Sequence, residues 1–256
     1  MPMKLRLLPI SLAAVAFVFL LSACSTPNLR DTNLLRDQSL LTGDPCQAPC
    51  WRGITPGETA WSDALIVLED DPTLQNVTTQ EDEESASRVA EWQQRDGAPG
   101  CCQMYSEDGE IVDLLFLRVA PDMTIDGVVN VFGNPAYALS TEFSGDQAII
   151  NVVYPDVPMV LYVFVPGVEA ELTGSSEIIG VLYMTREDMD LLLATSNLHA
   201  WDGYQPYSEY GPDAPLEVTP SIILDENGQP VEATAEADVT PESEATVEAE
   251  AQAEAE

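Results

Sequence analysis

Five cysteines carry the most direct chemistry in this chain of 256 residues: Cys24, Cys46, Cys50, Cys101 and Cys102. A cysteine thiolate can be acylated, bind a metal, or close and exchange disulfides. Spacing narrows the choice. "CQAPC" (46–50) and the "CC" pair (101–102) lack the usual zinc-site spacing, and the single histidine, His199, is far along the chain. A thioredoxin-like redox site would read C-x-x-C in a βαβ context, and this one does not. Other reacting sets are missing too. There is no "GxSxG" elbow, no "HExxH", no "GxxxxGK[ST]" and no "GxGxxG". His199 alone reads as a surface or capping histidine rather than a general base. The 44 acids guarantee carboxylate pairs by chance, so no chosen pair signifies a glycosidase-like site. No catalytic residue, resident metal or cofactor is expected. Acidic loops such as "EDEES" and "SEDGE" leave a cation-binding module as an alternative, though neither is an EF-hand.

Two further aromatic groups could bind rather than react. Trp51 and Trp61 flank the first cysteine pair and are expected to anchor the core. Trp201, Tyr204, Tyr207 and Tyr210 crowd the stretch "AWDGYQPYSEYGP", which reads either as a lid packed over a sheet or as a surface for a protein or glycan.

The elements that position these residues begin with an address. Residues 1–23 carry Lys4 and Arg6 ahead of an apolar or small run from Leu7 to Leu21, the pattern of a secretory signal peptide. Residues 21–24, "LSAC", resemble the lipobox of bacterial lipoproteins. The resemblance implies that Cys24 becomes the first mature residue and carries palmitate-type acyl chains. The expected location is extracytoplasmic, anchored to the cell membrane, or to an outer membrane where one exists, since Ser25 rather than aspartate follows the cysteine. Several acyl chains would hold the protein stably, where one would hold it only marginally.

Composition sets the rest. Without Lys4 and Arg6, seven scattered arginines face 44 Asp and Glu. Such a chain repels nucleic acid, so the expected partners are the membrane, through the lipid anchor, and a protein of the cell envelope. Residues 24–44 are expected to be the lipidated cysteine and a flexible tether, holding the domain about 25 Å from the lipid as a random coil. Residues 212–256 read as an acidic disordered tail. From residue 225 onward it has eleven acids, no base and no aromatic, and so too little apolar surface to offset chain entropy.

Residues 45–211 form the expected globular domain, in units of about 45–119 and 120–211. Thr59 and Thr124 look like N-caps of two helices with apolar spacing i, i+3, i+4, i+7, and Thr185 with Asp188 looks like the capping box of a third. Strands are expected over 74–79, 88–94, 101–105, 111–119, 137–143, 149–154, 159–165 and 178–184. The expected fold class is α+β, short helices packed on antiparallel β-meanders in two repeated helix-plus-strands units. "GITPGETAWSDALIVL" and "VAPDMTIDGVVNVFGNP" each resemble the start of the repeat in bacterial outer-membrane lipoproteins of the SmpA/OmlA type, with the β-lactamase-inhibitor-protein-like fold. The layout with "PCWRGITPG" early and "AWDGYQPY" late is also similar to that of uncharacterised secreted bacterial proteins. The resemblance implies protein binding and envelope assembly.

In an exported chain, Cys46, Cys50, Cys101 and Cys102 are expected in two disulfides. Adjacent strand residues point to opposite faces, so Cys101 and Cys102 would each reach one of Cys46 and Cys50, and each such loop would be worth roughly 4 kcal/mol. The alternative pairs Cys46 with Cys50 and Cys101 with Cys102. Taken together, the expected function is a membrane-tethered, non-enzymatic binding or scaffolding lipoprotein, with a thiol-disulfide redox protein using Cys101 and Cys102 as the other candidate.

Overall fold

The computed structural model describes residues 28–82 and 84–215. The expected signal peptide, the expected lipidation site Cys24 and the part of the expected acidic tail from residue 216 onward lie outside the described residues.

Nine strands make one antiparallel sheet: β1 (Leu74–Glu81), β2 (Arg88–Gln94), β3 (Cys102–Ser106), β4 (Leu114–Thr124), β5 (Tyr137–Ser144), β6 (Gln147–Tyr154), β7 (Met159–Val165), β8 (Glu177–Met184) and β9 (His199–Ala200). Their order across the sheet is β1-β2-β3-β4-β8-β7-β6-β5-β9. The helices are short: α1 (Ser39–Thr42), α2 (Trp61–Asp70), α3 (Ile125–Phe132) and α4 (Arg186–Thr195), with a 3-10 turn at Tyr207–Tyr210. Strand accounts for 38% of the structure against 19% for helix, so the expected α+β fold of two helix-plus-strands units is corrected to a sheet-dominated fold. The physical reason is the seam between β4 and β8. Those strands pair from Leu114↔Met184 to Thr124↔Glu177, which fuses the first four strands and the next four into one sheet.

Alternation along the strands sorts the side chains onto two faces. Ile150 and Val152 of β6 and Leu161 and Val163 of β7 point into the main core, with Leu115 and Leu117 of β4. That face is covered by Trp61, Ala64 and Leu68 of α2 and by Ile125 and Val128 of α3. The alternate residues Val153, Val160 and Met184 form a smaller cluster with Met189 of α4. Thr185 Oγ1 caps α4 by accepting from the Asp188 backbone N–H at 3.0 Å and donates to its carboxylate at 2.6 Å. Thr124 caps α3. Thr59 does not cap α2: its hydroxyl oxygen accepts from the Thr55 N–H at 2.8 Å, closing a turn, and Ala60 holds the cap position.

The expected flexible tether is also corrected over its described part. Leu29, Leu34, Leu35 and Leu40 are all buried. Leu35 bonds the sheet like an added parallel strand, its N–H to Arg118 O at 3.3 Å and its carbonyl from Ala120 N at 2.8 Å. Further on, Asn33 O accepts from Ala98 N at 2.8 Å, and the Leu29 N–H donates to Gln147 Oε1 at 2.8 Å. Residues 29–41 are a strap across the domain. Isolated leucines without a period give no helix or strand signal, yet each one buried removes apolar area from water.

Candidate functional site

The late aromatic stretch is the best-defined surface. It begins where β9 adds to the edge of β5, with Ala138↔His199 and Tyr137↔Ala200 in register. From there the backbone is held at each step. Trp201 N donates to Ala136 O at 3.0 Å, Leu172 N to Gln205 O at 3.0 Å, Tyr207 N to Ala170 O at 3.0 Å, and Ser140 Oγ to Tyr207 O at 2.7 Å. The Tyr210 hydroxyl accepts from Asp202 N at 3.0 Å and donates to Gly203 O at 2.8 Å, locking the loop to itself.

The four aromatic residues separate on this scaffold. Tyr207 and Tyr210 are buried, 9% and 1% exposed, so they are corrected from binding candidates to core residues. The ring of Tyr210 stacks beneath Trp201, centroids 5.8 Å apart and nearly parallel at 6°. Trp201 is half-buried, and Tyr204, 41% exposed, meets it edge-on at 5.8 Å. The Tyr204 hydroxyl donates to Asp126 Oδ1 at the start of α3. Lost hydration, then the Asp126 carboxylate that takes its hydrogen bond, pushes the Tyr204 phenol up to about 12. The Asp126 carboxylate lies against the Cα of Gly174, where any Cβ would sit within 2.4 Å of it. Trp201 and Tyr204 are thus an aromatic platform with little rotamer freedom left to lose on binding.

His199 is buried rather than a surface residue, and its Nε2 is 2.9 Å from Gly211 O. It pins the end of the aromatic stretch to β9. Sequence reading missed this because a lone histidine beside a two-residue strand has no pattern to place it.

The cysteines pair locally. Cys46 bonds Cys50, Cα atoms 5.7 Å apart, and Cys101 bonds Cys102, Cα atoms 3.7 Å apart. The expected long-range bridges are corrected, and the alternative pairing is the one present. The alternation argument assumed that both residues of the "CC" pair lie in a strand. In fact β3 starts at Cys102, and Cys101 precedes it. Cys102 sits opposite Trp92 in register, and both Cys101 and Cys102 are buried, at 1% and 0%. Trp92 stacks on Trp51 with centroids 5.8 Å apart, and Trp51 Nε1 donates to Asp37 Oδ2 at 2.9 Å. Trp51 and Trp61 are core residues as expected, 0% and 4% exposed. Thus the strap, the short Cys46–Cys50 loop and the buried 101–102 pair meet around two tryptophans; the 101–102 sulfurs are enclosed, whereas Cys46 and Cys50 are partly exposed.

Other features are weaker. An open depression near the strap is lined by Arg36, Asp37, Asp44 and Arg52, but the Arg52 guanidinium already holds Asp71 and Thr73. Among the described residues no group of three or more His, Cys, Asp or Glu is placed to hold a metal ion, and no helix is long and apolar enough to cross a membrane. No family, curated protein or solved structure matches the chain.

Proposed function

We propose that the chain is an extracytoplasmic lipoprotein, tethered at Cys24, whose folded domain is a non-enzymatic binding or envelope-scaffolding module for a protein partner. The observation that carries this reading is the platform of Trp201 and Tyr204, exposed in part, with the Trp201 ring stacked on Tyr210, its backbone N–H bonded to Ala136 O and the Tyr204 hydroxyl bonded to Asp126. Tryptophan and tyrosine on a rigid frame are the residue types that concentrate binding energy. Asp126 and Asp202 beside them, in a chain with 44 acids, favour a partner whose contact surface is apolar with a basic rim. The SmpA/OmlA likeness of "VAPDMTIDGVVNVFGNP" adds only its general leaning toward protein binding.

The test is a double substitution, Trp201→Ala with Tyr204→Ala, in the full chain in its own envelope. Loss of two central aromatic contacts should weaken a complex by about tenfold or more, read at a temperature where circular dichroism shows the variant folded, since Trp201 also stacks on Tyr210. In-cell cross-linking should then yield markedly less of a defined adduct. An unchanged adduct would remove this surface.

One observation favours the second reading, a thiol-disulfide protein: Cys101 and Cys102 do pair with each other. Their burial opposes it, because an attacking thiolate must reach a sulfur in line.

A further inference from the structure

The strap changes how far the domain can stand from a membrane, and the proposal that follows rests on the reading that Cys24 is acylated. The chain is fixed to the sheet from Leu29, whose N–H is bonded to Gln147. Whatever path residues 25–28 take, five peptide units from Cys24 to Leu29 span at most about 18 Å. The point where the chain is fixed lies at one pole of the sheet. Gln147 opens β6 opposite Ser144 at the tip of the β5–β6 hairpin. The start of the β7–β8 loop touches the same tip, since a Cβ on Gly167 would come within 3.0 Å of Gly145 O. Arg30, next to Leu29, lies over the Phe164 ring at 5.3 Å and pairs with Glu177. Among the described residues one large apolar side chain is exposed at this pole: Phe143, 42% exposed, next to the last residue of β5 before the hairpin turn.

We propose that this pole, comprising the β5–β6 hairpin tip with Phe143 and the Arg30 side chain, rests on the surface of the bilayer that carries the chain's own anchor. The short covalent reach keeps this pole within about 18 Å of the lipid, and Phe143 supplies the apolar group that enters the headgroup region. Charge does not drive it, because Glu142 and Asp146 are exposed at the same tip and would be repelled by anionic lipid. The contact should therefore persist on neutral lipid and at high salt. Trp201 lies at the opposite end of β5 from Phe143, next to the pairing of β9 with Tyr137 and Ala138, and the stretch that follows it runs back to the β7–β8 loop at Ala170 and Leu172.

The experiment uses the full acylated protein in vesicles of phosphatidylcholine and phosphatidylethanolamine, part of them carrying a nitroxide on the headgroup. Tryptophan is introduced singly as Phe143→Trp, or as Gln80→Trp on the distant β1 edge. Emission added by Phe143→Trp should be quenched about twofold more than that added by Gln80→Trp, given a tether reach of about 18 Å. Insertion of about 20 Gly/Ser residues after Ser25 should remove the difference, since such a linker averages about 25 Å end to end. Vesicle flotation is scored on every sample. Protein that fails to float overturns the anchored reading and this inference with it. Protein that floats but shows equal quenching at the two positions, or a difference that survives the linker insertion, overturns the inference alone.

Discussion

Trp51 ties its own segment to two others: it stacks on Trp92 of β2 and donates to Asp37 of the strap, and its neighbour Arg52 places its guanidinium 4.8 Å from the ring centroid. Trp51→Phe keeps most of the apolar volume but removes the indole donor to Asp37 Oδ2, leaving that carboxylate its bonds from Ser39 and its pairing with Arg52, so a loss of about 1 kcal/mol is expected by chemical denaturation. Asp113 makes the opposite case. Burial pushes its carboxyl up, the Glu107 N–H it accepts pulls it partly back, and the nearby Asp188, Asp108 and Glu187 carboxylates add repulsion. A carboxyl raised in the folded state costs stability while it is charged, and the cost fades as pH falls through the folded value toward the unfolded one. Asp113→Asn, which can still accept from Glu107, should therefore raise the melting temperature at pH 7, and the gain should shrink near pH 4. Tyr204 carries its own pH signature. With its phenol at about 12 against an ordinary 10.0, the folded chain holds a proton that the unfolded chain releases, so stability is full below pH 10 and is lost as pH rises through 12. Tyr204→Phe should make that loss shallower without abolishing it, because burial also raises Tyr154, Tyr162, Tyr183, Tyr207 and Tyr210.

At the scale of elements, the strap gives the sharpest expectation. Four buried leucines, Leu29, Leu34, Leu35 and Leu40, at about 1.5–3 kcal/mol each, approach the whole stability of an ordinary domain. A chain begun at Pro45 should thus fail to give a cooperative melt, whereas a dispensable tether would leave the melt unchanged. Capping sets a smaller effect: Thr185→Ala should cost about 1 kcal/mol by removing the N-cap of α4. Strands were the most readable elements, because alternation is a local signal. Met159–Val165 and Arg88–Gln94 occur over the expected residues, and Leu74–Glu81 extends the expected 74–79. What alternation cannot carry is which strands become neighbours. The β4–β8 pair joins residues about sixty apart, and nothing in "LLFLRVAPDMT" names "EIIGVLYM" as its partner. Cap chemistry was legible where a threonine faced a free helix end, at Thr124 and Thr185, and misleading at Thr59, whose hydroxyl serves a tight turn instead. The candidate surface was half legible. Aromatic density marked the stretch 201–210, but the division into buried Tyr207 and Tyr210 and presented Trp201 and Tyr204 depends on contacts with Ser140, Ala170 and Asp126 that sequence spacing does not encode.

For the whole molecule, the proposal is of a domain with a buried 101–102 disulfide, anchored through Cys24 and working by contact rather than by thiol chemistry. A buried 101–102 pair in such a domain should resist mild reductant until the fold opens, whereas the partly exposed Cys46–Cys50 pair has no such protection. The most direct measurement is the intact mass of the detergent-extracted native protein, treated with an alkylating agent after mild dithiol and again after reduction in denaturant. The account predicts a chain that begins at Cys24 and bears acyl groups. It takes up no alkyl group at Cys101 or Cys102 until it is unfolded, and thereafter reacts at all four domain cysteines. A chain without acyl mass, or two alkyl groups gained at Cys101 and Cys102 under native mild reduction, would contradict it.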